Sequence, residues 1–226
     1  MSLKPRNPKG GRPTKETAAR LGEHILEAAL QEFIAKGFEA AHMEAIANAS
    51  QVSKRTLYAR YRSKEELLRA SLDYAVSQHL FQFRSSPTFG DVRQRLATTA
   101  RGILEVSLSP TGRGIASLLI WLAHHRPHLR EQVRNQTTGD AANILREILE
   151  EGAANGEIEV ADFCSISRII FDFLVTGPHH KIVSGTAPDL LARENEWFDQ
   201  ALDFIMLALR ARAPVGCSSA RSEKGI

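Results

Sequence analysis

The residues best suited to chemistry lie in one short segment, 52–58, which reads V-S-K-R-T-L-Y. If this segment forms a helix, Leu57 turns inward while Lys54, Arg55 and Thr56 turn outward. An outward Arg can donate to guanine O6 and N7 together, and Lys or Thr can reach base edges or phosphate oxygens. The segment is therefore predicted to be a helix that reads the major groove of DNA.

Neighbouring elements are predicted to hold this helix in place. Apolar residues at helical spacing from 21 to 34 indicate a first helix, and Gly37 follows where a left-handed C-cap belongs. A short second helix is predicted over 42–49, joined to the groove-reading helix by a three-residue break. Ser63 and Glu66 form an S-x-x-E capping box, which starts a further helix near residue 64.

Positive charge is concentrated at the front of the chain, although the net charge is only +3. Residues 1–70 hold 13 Lys and Arg against 8 Asp and Glu, whereas residues 71–226 hold 16 against 18. Residues 1–20 are rich in basic residues, Pro and Gly, so we expect a flexible basic arm. Within it, the run Gly10-Gly11-Arg12-Pro13 resembles the centre of an AT-hook, whose Arg enters the minor groove. An ordinary basic tail is the alternative.

Composition and motifs exclude several classes of protein. The longest apolar runs fall short of the roughly 20 residues that span a bilayer, and the polar N-terminus has no signal core, so a cytoplasmic protein without a membrane partner is expected. Cys164 and Cys217 are the two cysteines and are expected to be free thiols. Nucleophile turns, phosphate-binding glycine loops and zinc-helix motifs are missing from the sequence. We therefore expect no enzyme and no cofactor.

Helical periodicity continues through the rest of the chain, which predicts an all-α fold. Pro110 opens one helix after Ser109, and Pro127 should end it. A following helix closes at residues 152–156. Asp162 is expected to cap a helix over about 162–177, a last helix should cover about 189–210, and residues 213–226 should form a disordered tail.

The N-terminal segment resembles the DNA-binding domain of TetR-family transcriptional regulators. The matching positions are Ile25-Leu26-Glu27-Ala28-Ala29, Phe33, Gly37-Phe38, Met43, Ile46-Ala47, Val52-Ser53-Lys54-Arg55-Thr56-Leu57-Tyr58, Tyr61 and Ser63-Lys64-Glu65-Glu66-Leu67-Leu68. The resemblance implies a three-helix helix-turn-helix domain at 21–70, with the motif at about 42–61, and a ligand-binding and dimerisation domain at 71–212. It further implies a homodimer that pairs through the last two long helices.

The resemblance also assigns roles to individual residues. The DNA-binding set is Arg12, which comes from the AT-hook-like run, together with His42, Ser53, Lys54, Arg55, Thr56, Tyr58, Arg60 and Lys64. Tyr58 and Lys64 match the phosphate clamps, Arg60 adds a backbone contact, and the residues at the start of the recognition helix match the base-reading positions. The alternatives are a merely solvated helix end, a Tyr58 that only packs, and a solvated Lys64.

Two positions depart from the family pattern. Gln51 stands at the turn position that usually holds Gly, so a positive φ there would cost about 1 kcal/mol. His42 replaces the Ser or Thr that usually caps the second helix; its imidazole can donate to a phosphate but is a poorer cap. These departures put the tilt of the recognition helix and the His42 contact in question.

The resemblance leads us to expect a small-molecule effector of unknown identity, apolar or amphipathic in character. Trp121, His125, Phe171 and Phe173 are candidates to bind it, with simple core packing as the alternative. His124 and His128 have chelating spacing, but Pro127 should disrupt their shared face. Cys164 lies among large apolar residues and is expected to be a buried thiol rather than a metal ligand.

The function that we predict is a ligand-released repressor that binds a palindromic operator as a homodimer. Two alternatives stay open: a metal-responsive regulator of the same fold, and a helical ligand-carrier or interaction module without a DNA target. The carrier would bind duplex DNA weakly and without sequence preference, whereas the regulator should prefer its operator by at least roughly a thousandfold.

Overall fold

The computed structural model describes residues 15–85, 89–187 and 194–210, and all regular elements within these ranges are helical. The helices are α1 (Lys15–Ala40), α2 (Met43–Ala49), α3 (Lys54–Arg60), α4 (Lys64–Ser85), α5 (Val92–Leu108), α6 (Pro110–His125), α7 (Pro127–Ala154), α8 (Phe163–Phe171), a π-helical turn (Asp172–Thr176), α9 (Gly177–Val183) and α10 (Glu194–Arg210). The all-α prediction is confirmed. Arg12 and its arm, Cys217 and the tail lie outside the described residues.

Helix boundaries follow local signals that the sequence carries. Ser63 Oγ accepts from the backbone N–H of Glu66 at 3.0 Å, so α4 begins at residue 64 as predicted. The Glu66 carboxylate accepts from the N–H of Arg62 at 2.8 Å, which completes the exchange one residue earlier than in an ordinary capping box. Asp162 caps α8, accepting from the N–H groups of Cys164 and Ser165. Helix α6 begins at Pro110 as expected; it ends at His125, just before the break expected at Pro127, where α7 begins.

The predicted helix over 162–177 is too short. Its path continues through the π-helical turn into α9 and ends at Val183. In the wide turn the N–H of Gly177 bonds to the carbonyl of Asp172, five residues back, and the buried Pro178 follows directly. A widened turn accommodates proline because the ring would otherwise press on the carbonyl four residues earlier. The first residues predicted for the last helix lie outside the described residues.

Two further sequence expectations need correction or addition. Cys164 is exposed, not buried, because it lies in the first turn of α8 on its polar side, beside the Asp162 cap. Helix α5 was not predicted; Asp91 caps it by accepting from the N–H of Gln94 at 2.8 Å. No helix within the described ranges is long and apolar enough to cross a membrane.

The described part of the chain forms two compact units, the first comprising the described residues within 1–81 and 110–137. Helices α1 to α4 and α6 share its core. Fully buried side chains include Ile25, Phe33, Leu57, Leu67 and Leu122. The domain boundaries at 21–70 and 71–212 stay predictions, because this grouping reflects packing in the folded chain and not independent folding. The core gives the short α3 a fixed base.

The second unit comprises the described residues within 82–109 and 138–226. Its core includes the apolar faces of α5, α7, α8 and α10. Arg95 is also buried there, its side chain 7% exposed, and its guanidinium lies 2.6 Å from a carboxylate oxygen of Glu151 and 3.5 Å from one of Glu157. Glu157 also accepts from the N–H of Val92 at 2.6 Å. These contacts compensate the buried charge and join α5 to the end of α7.

Candidate nucleic-acid interface

Helices α2 and α3 are joined by a tight turn. Ser50 is buried, and its hydroxyl donates to the carbonyl of Ile46 at 2.6 Å. The N–H of Val52 donates back to the carbonyl of Ala47 at 2.9 Å. Between them Gln51 has a φ of +55°. This is the positive φ for which the sequence predicted a cost when a residue other than glycine occupies the position. The turn therefore carries backbone strain at a position that suits glycine.

Helix α3 is capped at its start and anchored at its centre. Ser53 Oγ accepts from the N–H of Thr56 at 3.0 Å, and the two hydroxyls lie 2.8 Å apart. Leu57 is fully buried in the core of the first unit. Lys54 and Arg55 are exposed on the opposite side. The local sequence thus produces a short helix whose N-terminal turn presents cations outward, as the segment 52–58 predicted.

The two adjacent cations of α3 have different surroundings. Lys54 Nζ lies 2.8 Å from a carboxylate oxygen of Glu44 on α2. Arg55 makes no hydrogen bond or ion pair with the part of the chain that the structure describes. Arg55 therefore has all five guanidinium donors available, and bidentate donation to guanine is the recognition that they suit best.

Lys64 and Arg60 donate hydrogen bonds to backbone carbonyls of α1 and of Ala41, the residue that follows α1. Lys64 Nζ donates to the carbonyls of Glu39 and Ala41 at 3.0 and 3.2 Å and lies 4.6 Å from the centre of the Phe38 ring. Arg60 Nη2 donates to the carbonyl of Ala18 at 3.1 Å. One ammonium hydrogen of Lys64 and most guanidinium hydrogens of Arg60 remain for a phosphate. Both residues thus have a structural role that the sequence did not indicate.

A groove of about 470 Å³ brings several of the predicted residues together. Its lining is Ala41, His42, Met43, Glu44, Lys54, Tyr58 and Lys64. Tyr58 is 50% exposed and so does not merely pack. His42 stands at the N-cap of α2 without a side-chain capping bond, which leaves its imidazole available. The groove offers a phenol, an imidazole and two ammonium groups to a ligand, but it also contains the carboxylate of Glu44.

Tyr61 ends α3 and supports the interface from behind. It packs against the core of the first unit. Burial raises the pKa of its phenol, while Arg60 lowers it and Glu66 raises it. The phenol is therefore neutral at physiological pH and is an anchor for the C-terminal end of the helix.

Comparison with known proteins places this geometry in a family. Residues 25–71 match the family described as "Bacterial regulatory proteins, tetR family", and residues 87–190 match "Tetracyclin repressor-like, C-terminal domain". The chain belongs to the TetR family. It is a transcriptional regulator that binds DNA through the α2–α3 helix-turn-helix, and not an enzyme.

Individual relatives agree with this assignment. The HTH-type transcriptional regulator SrpR of Pseudomonas putida is 25% identical over 166 residues, which cover 74% of this chain and 76% of SrpR. The structure of the flavonoid-responsive regulator FrrA superposes with a TM-score of 0.68 at 25% identity, covering 86% of this chain and all of FrrA. A TetR-family protein from Mesorhizobium loti MAFF303099 has a TM-score of 0.68 at 21% identity, covering 87% and 97% of the two chains.

The four residues proposed to bind an effector lie in different parts of this TetR-family chain. Trp121 and His125 belong to the first unit, where their rings stack at 4.8 Å and Trp121 also contacts Phe38 at 5.0 Å. Phe171 and Phe173 belong to the second unit, in which Phe173 is 44% exposed. Trp121 thus contributes to the core, the alternative kept for it, and the effector contacts stay predictions.

The histidines predicted as a possible chelating pair lie on two helices. His124 is near the end of α6 and His128 is in the first turn of α7, so Pro127 separates their faces as expected. The Nδ1 atom of His124 lies 2.8 Å from the carbonyl of Ile120. Within the described residues, no three His, Cys, Asp or Glu side chains are grouped so as to hold a metal ion.

Proposed function

We propose that this regulator is a repressor that binds a palindromic operator as a homodimer and is released by a small-molecule effector. The observation that carries the proposal is the N-terminal turn of α3. There Arg55 is exposed and has no partner among the described residues, while Leu57 is fully buried beneath it. A rigid helix with a free guanidinium at its start suits direct reading of a guanine in the major groove.

The remaining residues of the predicted set have complementary roles in this proposal. Tyr58 and the free hydrogen of Lys64 contact phosphates and fix the register of the helix. His42 donates to a phosphate from the N-terminus of α2. Thr56 and Ser53 keep the first turn ordered and offer hydroxyls beside it, and Arg60 adds a phosphate contact. Arg12, in the arm, is assigned to the minor groove.

Dimerisation is proposed through α8 with its continuation and α10. These helices expose large apolar side chains: Ile169 is 61%, Phe173 is 44% and Phe204 is 66% exposed. All three line an apolar hollow of about 160 Å³ together with Ile170 and Leu209. A second copy would cover this surface, and two-fold symmetry would place two recognition helices on a palindrome.

Release by an effector requires that the effector bind the DNA-incompetent arrangement more tightly. The related FrrA is named as responsive to flavonoids. For this chain we propose an apolar or amphipathic effector and assign Trp121, His125, Phe171 and Phe173 as residues whose environment responds to it. Binding would appear as a change in the fluorescence of Trp121 and a lower affinity for the operator.

The proposal is tested by selecting DNA with the purified protein. The protein is incubated with duplexes of random sequence, bound duplexes are recovered and sequenced, and protection of the recovered site is mapped. The proposal predicts a palindrome, protection of both half-sites and two protomers per duplex. Equal retention of all sequences would instead favour the helical carrier or interaction module.

A further inference from the structure

The interface contains an acidic residue that the DNA-binding set does not include. Glu44 is the second residue of α2, and its carboxylate lies 2.8 Å from the ammonium of Lys54, the first residue of α3. The two side chains are 64% and 57% exposed, so the pair lies on the surface of the helix-turn-helix. Glu44 shares its groove with His42 and Tyr58.

This pairing changes what Lys54 offers to a duplex. A phosphate that approaches Lys54 must compete with the carboxylate of Glu44, and that carboxylate repels the phosphate within a distance of about 10 Å at moderate salt. Arg55, the next residue, has no such partner among the described residues. The two adjacent cations therefore differ: among the described residues Arg55 has no partner and can contact DNA, whereas Lys54 is paired with Glu44.

We infer that Glu44 contributes to sequence specificity by keeping Lys54 in an ion pair. Lys54 then adds little to the affinity for duplexes of random sequence. The inference rests on the proposed function. Non-specific binding consists of phosphate contacts, and Lys54 can make one only by leaving Glu44 or by bringing the carboxylate close to the DNA. At an operator, one N–H of the ammonium stays on Glu44 while the other two donate to a base edge.

The experiment uses the full chain and four variants. Glu44→Gln removes the charge and keeps the shape of the side chain. Lys54→Gln removes its partner, and the double variant closes a thermodynamic cycle. Glu105→Gln is the matched control, because Glu105 is an exposed carboxylate on α5 in the other unit. Each protein is titrated with the duplex selected by the parent and with a scrambled duplex of the same length and composition, over a salt series.

We expect Glu44→Gln to raise affinity for the scrambled duplex about two- to fivefold per protomer, the range of an exposed ion pair. The salt dependence should steepen by about one unit of slope on a log–log plot. Affinity for the selected duplex should change by less than about twofold. In the Lys54→Gln background, the gain on the scrambled duplex should shrink to the part that direct repulsion between carboxylate and phosphate contributes.

Three results would overturn the inference while the parent still prefers its selected duplex. These are a Glu44→Gln response equal to that of Glu105→Gln, a loss of affinity for both duplexes, and a gain on the scrambled duplex that is equally large without Lys54. A parent that shows no preference between the two duplexes refutes the proposed function itself. The two failures are therefore distinguished by the parent protein alone.

Discussion

Replacing Gln51 by glycine should stabilise the first unit. Gln51 has a φ of +55°, and its side chain is exposed. A non-glycine residue in this conformation carries a strain of about 1–2 kcal/mol. Glycine relieves that strain, but it also raises the conformational entropy of the unfolded chain, which lowers the stability by about 0.4–1 kcal/mol. We therefore expect Gln51→Gly to raise the free energy of unfolding by about 0.5–1 kcal/mol.

The assay can be confined to the unit that contains the turn. Trp121 lies in the first unit and Trp197 in the second, so a Trp197→Phe background leaves Trp121 as the only tryptophan. Urea unfolding followed by its fluorescence reports the stability around α1 and α6. Gln51→Ala is the control, because alanine keeps the strain and should change stability by less than about 0.5 kcal/mol. A glycine variant no more stable than the alanine variant would refute the strain argument.

Three other variants test separate contacts. Lys64→Ala should lower the free energy of unfolding by about 1–3 kcal/mol in urea, because the carbonyls of Glu39 and Ala41 lose a charged donor. It should also flatten the salt slope of DNA binding by about one on every sequence; unchanged stability would contradict the first part. Gly114→Ala should cost about 1–3 kcal/mol, because its Cβ would lie 2.6 Å from the side chain of Ile34, and an unchanged unfolding midpoint would contradict this packing. Asp162→Ala should destabilise the protein above pH 4 but progressively less below it, because the hydroxyl of Ser165 lowers the pKa of Asp162 in the folded protein. The Asp162 carboxylate therefore stabilises the fold fully above the unfolded pKa of about 3.9. This contribution disappears as the pH falls through the lower folded pKa. A difference between parent and variant that stays constant with pH would contradict that assignment.

Signals that act within a few residues were readable from the sequence. The Ser63 and Asp162 caps, the breaks at Pro110 and Pro127 and the buried Leu57 all depend on spacing along one helix. Such features follow from local hydrogen bonding and helical periodicity. The outline of the fold and the outward face of α3 were predictable for this reason.

Contacts between distant segments were not readable in the same way. Nothing near Lys64 in the sequence indicates that its ammonium reaches carbonyls 23 and 25 residues earlier. The ion pair of Glu44 was not predicted, because its partner Lys54 lies across the turn, on the next helix. The π-helical turn before Pro178 depends on how a proline is accommodated inside a longer helix. Contacts of this kind depend on tertiary packing, and a single sequence has no periodic or spacing pattern that indicates them.

The central claim is that the N-terminal turn of α3 enters the major groove and reads bases through Arg55. Its most direct test is the base-by-base preference of the Arg55→Ala variant, measured on single substitutions of the selected duplex, with Arg113→Ala on α6 as a control of equal charge. We predict a loss of about 1–3 kcal/mol together with relaxed preference at one position of each half-site, and an unchanged profile for the control. An Arg55→Ala profile that matches the parent at every position would contradict the claim.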